Sequence, residues 1–338
     1  MLKKLLVLML SLVLISTFVV GCSGKTSSTG GGSEEPIRLK MSVTASDSST
    51  WAKGAEKFAE LVKERTNGQI LISVYPNEQL SGGNQSKGVE MLSSGATDLS
   101  FHSNIIYSVL DERFGVISLP WLIPNHEAVD KALAGEGGEA INKILDEIGI
   151  VGLAFGENGF RQLTNNVREI KTVEDMKGLK IRVPGMKMYI DLFTALGADP
   201  ISMNFAEVFT ALQTGSIDGQ ENPIDTIKTS NIHEVQKYLS IWNYSYDAII
   251  LGMNKEKFES LTEEQQKILR EAAVEACEYQ KQLTRELEAE QLKEFEEAGV
   301  KITEVTDEAI EGFKEKVQVV YEQYEPIMGK ELIDAFRQ

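Results

Sequence analysis

Arg182 is a residue whose type and position suit the binding of a carboxylate. It lies in the segment Leu179–Val183, where apolar and basic residues alternate, and Pro184 follows directly. The alternation predicts a β-strand with its apolar residues on one face and Arg182 on the other, ending at the proline. A guanidinium at the carboxyl end of such a strand offers a planar fork that donates two parallel hydrogen bonds to a carboxylate. The alternative is an arginine on an exposed strand.

Residues that bind metals or act as nucleophiles are scarce. The chain has two cysteines, Cys22 and Cys277, and three histidines, His102, His126 and His233. These numbers argue against a zinc cluster and a disulfide scaffold. The histidines at 126 and 233 each precede a glutamate but lack a second histidine four residues on, so both pairs are interpreted as surface pairs. No motif specifically supports a nucleophilic enzyme, and we predict no catalytic residue, no metal and no cofactor.

The composition is that of an acidic globular protein. The chain has 338 residues, of which 42% are hydrophobic and 25% charged, and a formal net charge of −17. This length suggests two domains, each large enough for its own core. Such a charge gives no electrostatic footprint for nucleic acid or for an anionic membrane surface. An anionic ligand therefore needs positive groups that are locally concentrated.

The N-terminus has the layout of an export signal. Two lysines precede an apolar run, Leu5–Val20, which ends just before Cys22. The run is shorter than the roughly 18–20 residues of a membrane span, which is the alternative interpretation. The sequence around Cys22 is similar to a bacterial lipobox, which implies that residues 1–21 are removed and that a lipid on Cys22 anchors the protein to the outer side of the cell membrane. Residues 22–36, rich in Gly and Ser, would form a flexible tether.

Hydrophobic periodicity alternates between strands and helices from residue 37 to residue 253. The predicted strands are Ile37–Thr44, Ile70–Tyr75, Asp98–His102, Ile150–Phe155, Leu179–Val183 and Tyr246–Met253. The predicted helices are Trp51–Arg65, Gln85–Ser94, Glu127–Ile148 with a Gly-rich interruption, Met186–Leu196 and Ala206–Gln213. This order predicts an α/β fold with mostly parallel sheets.

A long helical pattern follows residue 260. Thr262–Gln265 fits a capping box and starts a helix that runs to about Ala298. The helix would be about 55 Å long, which is longer than one small lobe is wide. We expect it to brace two lobes together, with apolar positions 268, 272, 276, 279, 283 and 287 facing inward and Cys277 as a small buried hydrophobe. Residues 307–338 add further helix.

Four successive segments resemble one known family. They are Phe160-Arg161-Gln-Leu-Thr-Asn, Leu179-Lys-Ile-Arg182-Val-Pro184-Gly, Ala195-Leu-Gly197-Ala-Asp-Pro200 and Phe205-Ala-Glu207-Val-Phe-Thr-Ala-Leu-Gln213-Thr-Gly215-Ser-Ile-Asp218-Gly-Gln-Glu221-Asn222-Pro223. Through them the chain resembles the DctP-type solute receptors of TRAP transporters, the tripartite ATP-independent periplasmic carriers of organic acids. The similarity extends more loosely over about residues 37–325.

The resemblance implies a two-lobed fold like that of periplasmic binding proteins, with a ligand cleft between the lobes, crossing hinge strands and a long bridging helix. It implies that lobe I comprises residues 37–158 plus 247–286 and that lobe II comprises residues 159–246 plus 287–338. It further implies a receptor, not an enzyme, that delivers a small organic acid to the small and large TRAP membrane subunits. C4-dicarboxylates, sugar acids such as uronates and other monocarboxylates all fit. The alternatives are a receptor that signals to a sensor kinase and an extracytoplasmic enzyme.

The resemblance also implies the roles of individual residues in lobe II. Arg182 would form a two-pronged salt bridge with the ligand carboxylate. Arg161 and Asn222 would complete the polar contacts, and Phe205 would pack on the ligand. Without the resemblance, Arg161 is an ordinary loop arginine, Asn222 a turn or helix-cap residue, and Phe205 a core residue.

Lobe I must then supply the contacts that distinguish one ligand from another. Candidates in the loops after strands are Ser46–Trp51, Gln79 and Phe101–Ser103, which includes His102. Tyr244 and Asp247 are further candidates near the crossing strand. The family usually has a histidine-like position near the crossing strand, whereas this chain has Asn243-Tyr244. This departure leaves the type of substrate open.

Overall fold

The computed structural model describes residues 35–337, so the predicted signal peptide, Cys22 and nearly all of the predicted tether lie outside the described residues. The strands are β1 (Ile37–Val43), β2 (Ile70–Tyr75), β3 (Leu99–Ser103), β4 (Ile150–Phe160), β5 (Gln162–Asn165), β6 (Lys180–Val183), β7 (Asp199–Ser202), β8 (Gly219–Asn222), β9 (Tyr238–Ile241), β10 (Tyr246–Asn254) and β11 (Lys301–Glu304). The helices are α1 (Thr50–Arg65), α2 (Gln85–Ser93), α3 (Asn104–Tyr107), α4 (His126–Ala134), α5 (Glu136–Glu147), α6 (Lys187–Ala195), α7 (Phe205–Thr214), α8 (Ile224–Thr229), α9 (Lys255–Glu259), α10 (Glu263–Glu297), α11 (Asp307–Lys316), α12 (Gln318–Met328) and α13 (Lys330–Phe336). Within residues 35–337, no helix has both the length and the apolar character that a membrane crossing requires.

Five strands form one sheet, called sheet A, in the order β2-β1-β3-β10-β4. β1 pairs in parallel with β2 and β3, whereas β10 runs antiparallel to β3 and β4. The pair β4–β10 is long, from Ile150 opposite Asn254 to Phe160 opposite Tyr246, with a bulge beside Asp247. The carboxyl ends of β1, β3 and β4 therefore lie at one edge of sheet A.

Six strands form the second sheet, called sheet B, in the order β11-β9-β5-β8-β6-β7. β6 pairs in parallel with β7 and β8, and β9 pairs in parallel with β11. β5 runs antiparallel to β8 and β9, so it begins at the edge where β8 ends. Both sheets are mixed, because β10 in sheet A and β5 in sheet B each run against both of their neighbours. The other strands of each sheet share one direction, as the prediction of mostly parallel sheets requires.

The chain crosses between the sheets at two adjacent places. Arg161 alone separates β4 in sheet A from β5 in sheet B, and residues 242–245 lead from β9 back to β10. The amide of Arg161 donates to the carbonyl of Ser245 at 2.9 Å, so the two crossings are hydrogen-bonded to each other. They bring the edges of the two sheets together at the start of β5 and β10.

Helix α10 packs against the cores of both sheets. Its first half contributes to the apolar core of sheet A, and Phe295 near its end contributes to the core of sheet B. Gly54 permits the close approach of α1, because a Cβ there would lie 2.7 Å from the Cβ of Gln280. The predicted capping box is present, formed by Thr262 and Gln265. The prediction of a long bridging helix is thereby confirmed.

Several local predictions differ from the structure. The segment predicted as one helix with a Gly-rich interruption, from 127 to 148, is two separate helices, because α4 ends at Gly135, a residue type that favours helix ends. Tyr279 is 42% exposed, whereas Cys277 is buried as expected. His233 is not in a surface pair, since it is buried and stacks on Phe295 with 4.9 Å between the ring centres. The short strands β5, β7, β8, β9 and β11 were not predicted.

Candidate functional site

A cavity lies where the carboxyl ends of strands from the two sheets meet, the usual place for a ligand in an α/β protein. It encloses about 380 Å3, including its opening to solvent. Its lining is formed by Thr44, Ala45, Trp51, Gln85, Ser103, Ile105, Ile106, Asn158, Arg161, Arg182, Pro184, Phe205, Asn222, Thr226 and Asp247. Sheet A and its helices provide the residues numbered below 160 together with Asp247, and sheet B with its loops and helices provides the rest.

Arg182 brings a buried positive charge to this cavity. The side chain, on β6, is 2% exposed, and its Nε and Nη2 atoms donate to the carbonyl oxygen of Met203 at 3.0 and 2.8 Å. Within residues 35–337, no carboxylate lies within salt-bridge distance of its guanidinium. Burial lowers the pKa of Arg182 to about 10, so it stays charged at neutral pH. The ring of Phe205 lies 5.6 Å from the guanidinium carbon, which fits a cation–π contact.

Arg161 is held differently, between two buried carboxylates. Its guanidinium donates to the carboxylates of Glu221 and Asp247 and, at 3.1 Å, to the side-chain oxygen of Asn222. Burial alone would lower the pKa of Arg161, but Glu221 and Asp247 hold it well above its usual range. Tyr244 also donates to Glu221, at 2.6 Å. The charge of Arg161 is therefore neutralised within the protein before any ligand arrives.

Asp247 and Asn158 connect Arg161 to the other side of the cavity. Asp247 is fully buried and accepts hydrogen bonds from Arg161, from the hydroxyl of Ser103 and, at 2.7 Å, from the side-chain amide of Asn158. Burial raises the pKa of Asp247, and Arg161 opposes that rise. The side-chain oxygen of Asn158 accepts in turn from Thr226 at 2.7 Å, so this network joins sheet A to helix α8.

Five of the eight residues proposed from the sequence as ligand contacts line the cavity: Arg161, Arg182, Asn222, Phe205 and Asp247. The other three lie outside its lining, which differs from the prediction. Gln79 is exposed on a short turn, His102 is hydrogen-bonded to the buried carboxylate of Glu78, and Tyr244 lies behind Glu221. Of the two candidate loops, only Trp51 and Ser103 contribute.

Several lining residues were not predicted from the sequence. Asn158 was not proposed as a ligand contact because β4 was predicted to end at Phe155, whereas the strand continues to Phe160. Thr44 follows β1 at a carboxyl end, a position that the rule for α/β sheets could have found. Gln85 is the first residue of helix α2, and Thr226 lies in the short helix α8. Neither residue type nor its spacing in the sequence indicates a ligand contact.

Known proteins are similar to this chain over nearly all of its described residues. The sequence model of the bacterial extracellular solute-binding proteins, family 7 (DctP), matches residues 41–326. The chain belongs to this family. The C4-dicarboxylate-binding protein DctB of Bacillus subtilis is 32% identical over 89% of this chain and 86% of its own length.

Two crystal structures of family members superpose on most of the chain. A TRAP periplasmic solute-binding protein from Ralstonia eutropha H16, with bound (S)-2-acetolactate, is 36% identical with a TM-score of 0.86 over 89% of this chain and 97% of its own. The sugar acid binding protein DctPAm from Advenella mimigardefordensis, in complex with galactonate, is 33% identical with a TM-score of 0.85 over 90% of this chain and 98% of its own. The predictions of a two-lobed α/β fold and of a DctP-type TRAP receptor are confirmed. Members of this family are extracytoplasmic substrate-binding proteins that serve TRAP transporters.

Proposed function

We propose that this DctP-type receptor binds the carboxylate of a small organic acid on Arg182 and delivers the acid to a TRAP permease. The observation that carries this proposal is the buried guanidinium of Arg182, which lines a cavity and forms no ion pair among residues 35–337. A charge in that state costs free energy unless an opposite charge arrives. A ligand carboxylate supplies it, and the planar fork of arginine fixes its orientation.

The other residues of the site would position the ligand. Arg161 is already paired with the carboxylates of Glu221 and Asp247, so it would hold Asn222 and Asp247 in place at the cavity wall. The half-buried ring of Phe205 would cover one side of the ligand. DctB is named for C4-dicarboxylates and DctPAm for sugar acids, and the Ralstonia eutropha relative holds a hydroxy-oxo acid. These ligands support small organic acids as the substrate class of this chain.

The two sheets support a division into lobes that close on the ligand. We take lobe I as residues 37–158 plus 247–286 and lobe II as residues 159–246 plus 287–338, joined by the crossings at Arg161 and at 242–245. Arg182, Asn222 and Phe205 belong to lobe II, so the acid would dock there first. Contacts from lobe I would form on closure, and the permease would recognise the loaded receptor by its closed shape.

The lipid anchor belongs to the same proposal and rests on the sequence around Cys22. Replacement of Cys22 by Ser is expected to release the protein or leave its precursor uncleaved. A Cys22→Ser protein that stays membrane-anchored with its signal removed would contradict the anchor while leaving ligand binding untouched.

A calorimetric and thermal-shift screen of organic acids tests the binding function. We expect one acid per chain, recovered chemically unchanged, and a loss of affinity of roughly tenfold to a thousandfold in Arg182→Lys, which keeps the charge but loses the fork. Arg168→Lys is the matched control, because Arg168 also donates through Nε and Nη2 to backbone carbonyls but lies outside the cavity. Arg182→Lys binding within twofold of the unsubstituted protein would remove Arg182 from the site.

A further inference from the structure

The charges around the cavity are balanced before a ligand enters. Arg161 and Arg182 line it, as does Asp247, and Glu221 lies directly behind Arg161. Both carboxylates form ion pairs with Arg161, whereas Arg182 has no carboxylate partner in the described part of the chain. A ligand with one carboxylate pairs with Arg182. A second carboxylate would find no free cation in this lining.

The carboxylate of Asp247 would repel a second negative charge on a ligand in this cavity. Its carboxylate accepts three hydrogen bonds, from Arg161, Ser103 and Asn158. A carboxylate offers about four lone-pair sites, so one remains to accept from a ligand hydroxyl. The rest of the lining on the sheet A side is neutral, with the polar Thr44 and Gln85 beside apolar residues. Like charges brought together in a desolvated site cost several kcal/mol, which makes repulsion an effective means of discrimination.

We propose that this cavity selects monocarboxylates that carry hydroxyl groups, and that Asp247 is the residue that excludes dicarboxylates. The inference rests on the proposed function, because it takes the ligand carboxylate to lie on Arg182. It narrows the substrate class from organic acids in general to hydroxylated acids with a single charge.

The test compares acids that differ only in the second carboxylate. Suitable pairs are D-galactonate with galactarate and 4-hydroxybutyrate with succinate, titrated calorimetrically into the full-length protein. In the pair that binds, the monocarboxylate is expected to bind at least about tenfold tighter. Asp247→Asn keeps the shape of the side chain and removes its charge, so it is expected to reduce that ratio by about tenfold or more. Ser103→Ala, which removes a donor to Asp247 but no charge, is expected to change the ratio less than threefold.

The outcomes separate the two proposals. A dicarboxylate that binds the unsubstituted protein as tightly as its monocarboxylate partner overturns the selectivity and leaves the receptor function intact. An unchanged ratio in folded Asp247→Asn overturns the role of Asp247. If Asp247→Asn does not fold, the ratio in the unsubstituted protein still decides the selectivity. Absence of binding by every acid tested, in both pairs and in the wider screen, overturns the receptor function itself.

Discussion

Replacing Arg182 by methionine should abolish acid binding without destabilising the ligand-free protein. The charged form of a buried side chain without an ion partner is disfavoured, and burial lowers the pKa of Arg182 from its ordinary value to about 10. That difference corresponds to roughly 3 kcal/mol against the charged side chain. Methionine has a similar length, is apolar and carries no such cost.

The loss of hydrogen bonds offsets part of this gain. Arg182 donates twice to the carbonyl of Met203, and two such bonds contribute roughly 1–3 kcal/mol in net stability. We therefore expect the free energy of unfolding of ligand-free Arg182→Met to be unchanged or higher by about 1–2 kcal/mol. The acid-dependent rise in melting temperature should disappear, since binding to the native state alone produces it.

Arg161→Met is the informative comparison. It would leave the carboxylates of Glu221 and Asp247 buried without their cation, a situation that costs about 3–5 kcal/mol. The two substitutions are chemically identical, and both sites are almost fully buried. The structure nevertheless predicts opposite consequences, because among the residues it describes only Arg161 is paired with carboxylates.

Urea denaturation of the two variants and of the unsubstituted protein, without ligand, measures the difference. A destabilisation of Arg182→Met by 3 kcal/mol or more, similar to that of Arg161→Met, would refute the reasoning. It would mean that Arg182 is already satisfied in the ligand-free fold and is a structural residue.

Three further predictions concern closure, the contacts between sheets and acid stability. Saturation with a bound acid should reduce the radius of gyration in small-angle scattering, and unchanged scattering with calorimetric proof of binding would contradict closure. Asp225 of α8 accepts from the amide and hydroxyl of Thr50 and from Gln291, at 2.9 to 3.1 Å, so Asp225→Ala should weaken acid binding about tenfold or more by favouring the open form, and unchanged affinity in calorimetry would exclude this role. Burial alone would raise the pKa of Glu78, but His102 and hydrogen bonds together lower it below its ordinary value of 4.5. The pKa of Glu157 is likewise lowered below 4.5, because His126 and Arg285 outweigh the effect of burial. The stability that these two carboxylates contribute is present above pH 4.5 and should be lost as the pH falls below that value. The loss of stability below pH 4.5 should be smaller in Glu157→Gln, which lacks one of the two carboxylates. Urea denaturation that shows a free energy of unfolding rising below pH 4.5 would contradict this prediction.

Elements with strong local signals could be predicted from the sequence. β2 has the predicted limits, because its apolar run is bounded by Asn67-Gly68 and Pro76. Helix α10 follows from its capping box and its helical period. The short strands β5 and β8 carry no such signal. They have four mostly polar residues each and are strands because they pair with each other, antiparallel, in the middle of sheet B.

The candidate site was predictable in part for the same physical reason. Arg182 could be placed at the end of a strand by alternation and a following proline, both of them local features. The pairing of Arg161 could not be inferred, because Glu221 and Asp247 lie 60 and 86 residues away along the chain. Only the fold brings these charges together, and their balance is what distinguishes the roles of the two arginines.

The structure of the complex with an acid found in the screen is the most direct test of the central claim. A carboxylate of the bound acid is expected to lie about 2.7–2.9 Å from two nitrogen atoms of the Arg182 guanidinium. Arg161 is expected to remain paired with both Glu221 and Asp247 in the complex. A carboxylate bound elsewhere, with the Arg182 guanidinium still directed only at the carbonyl of Met203, would contradict the account.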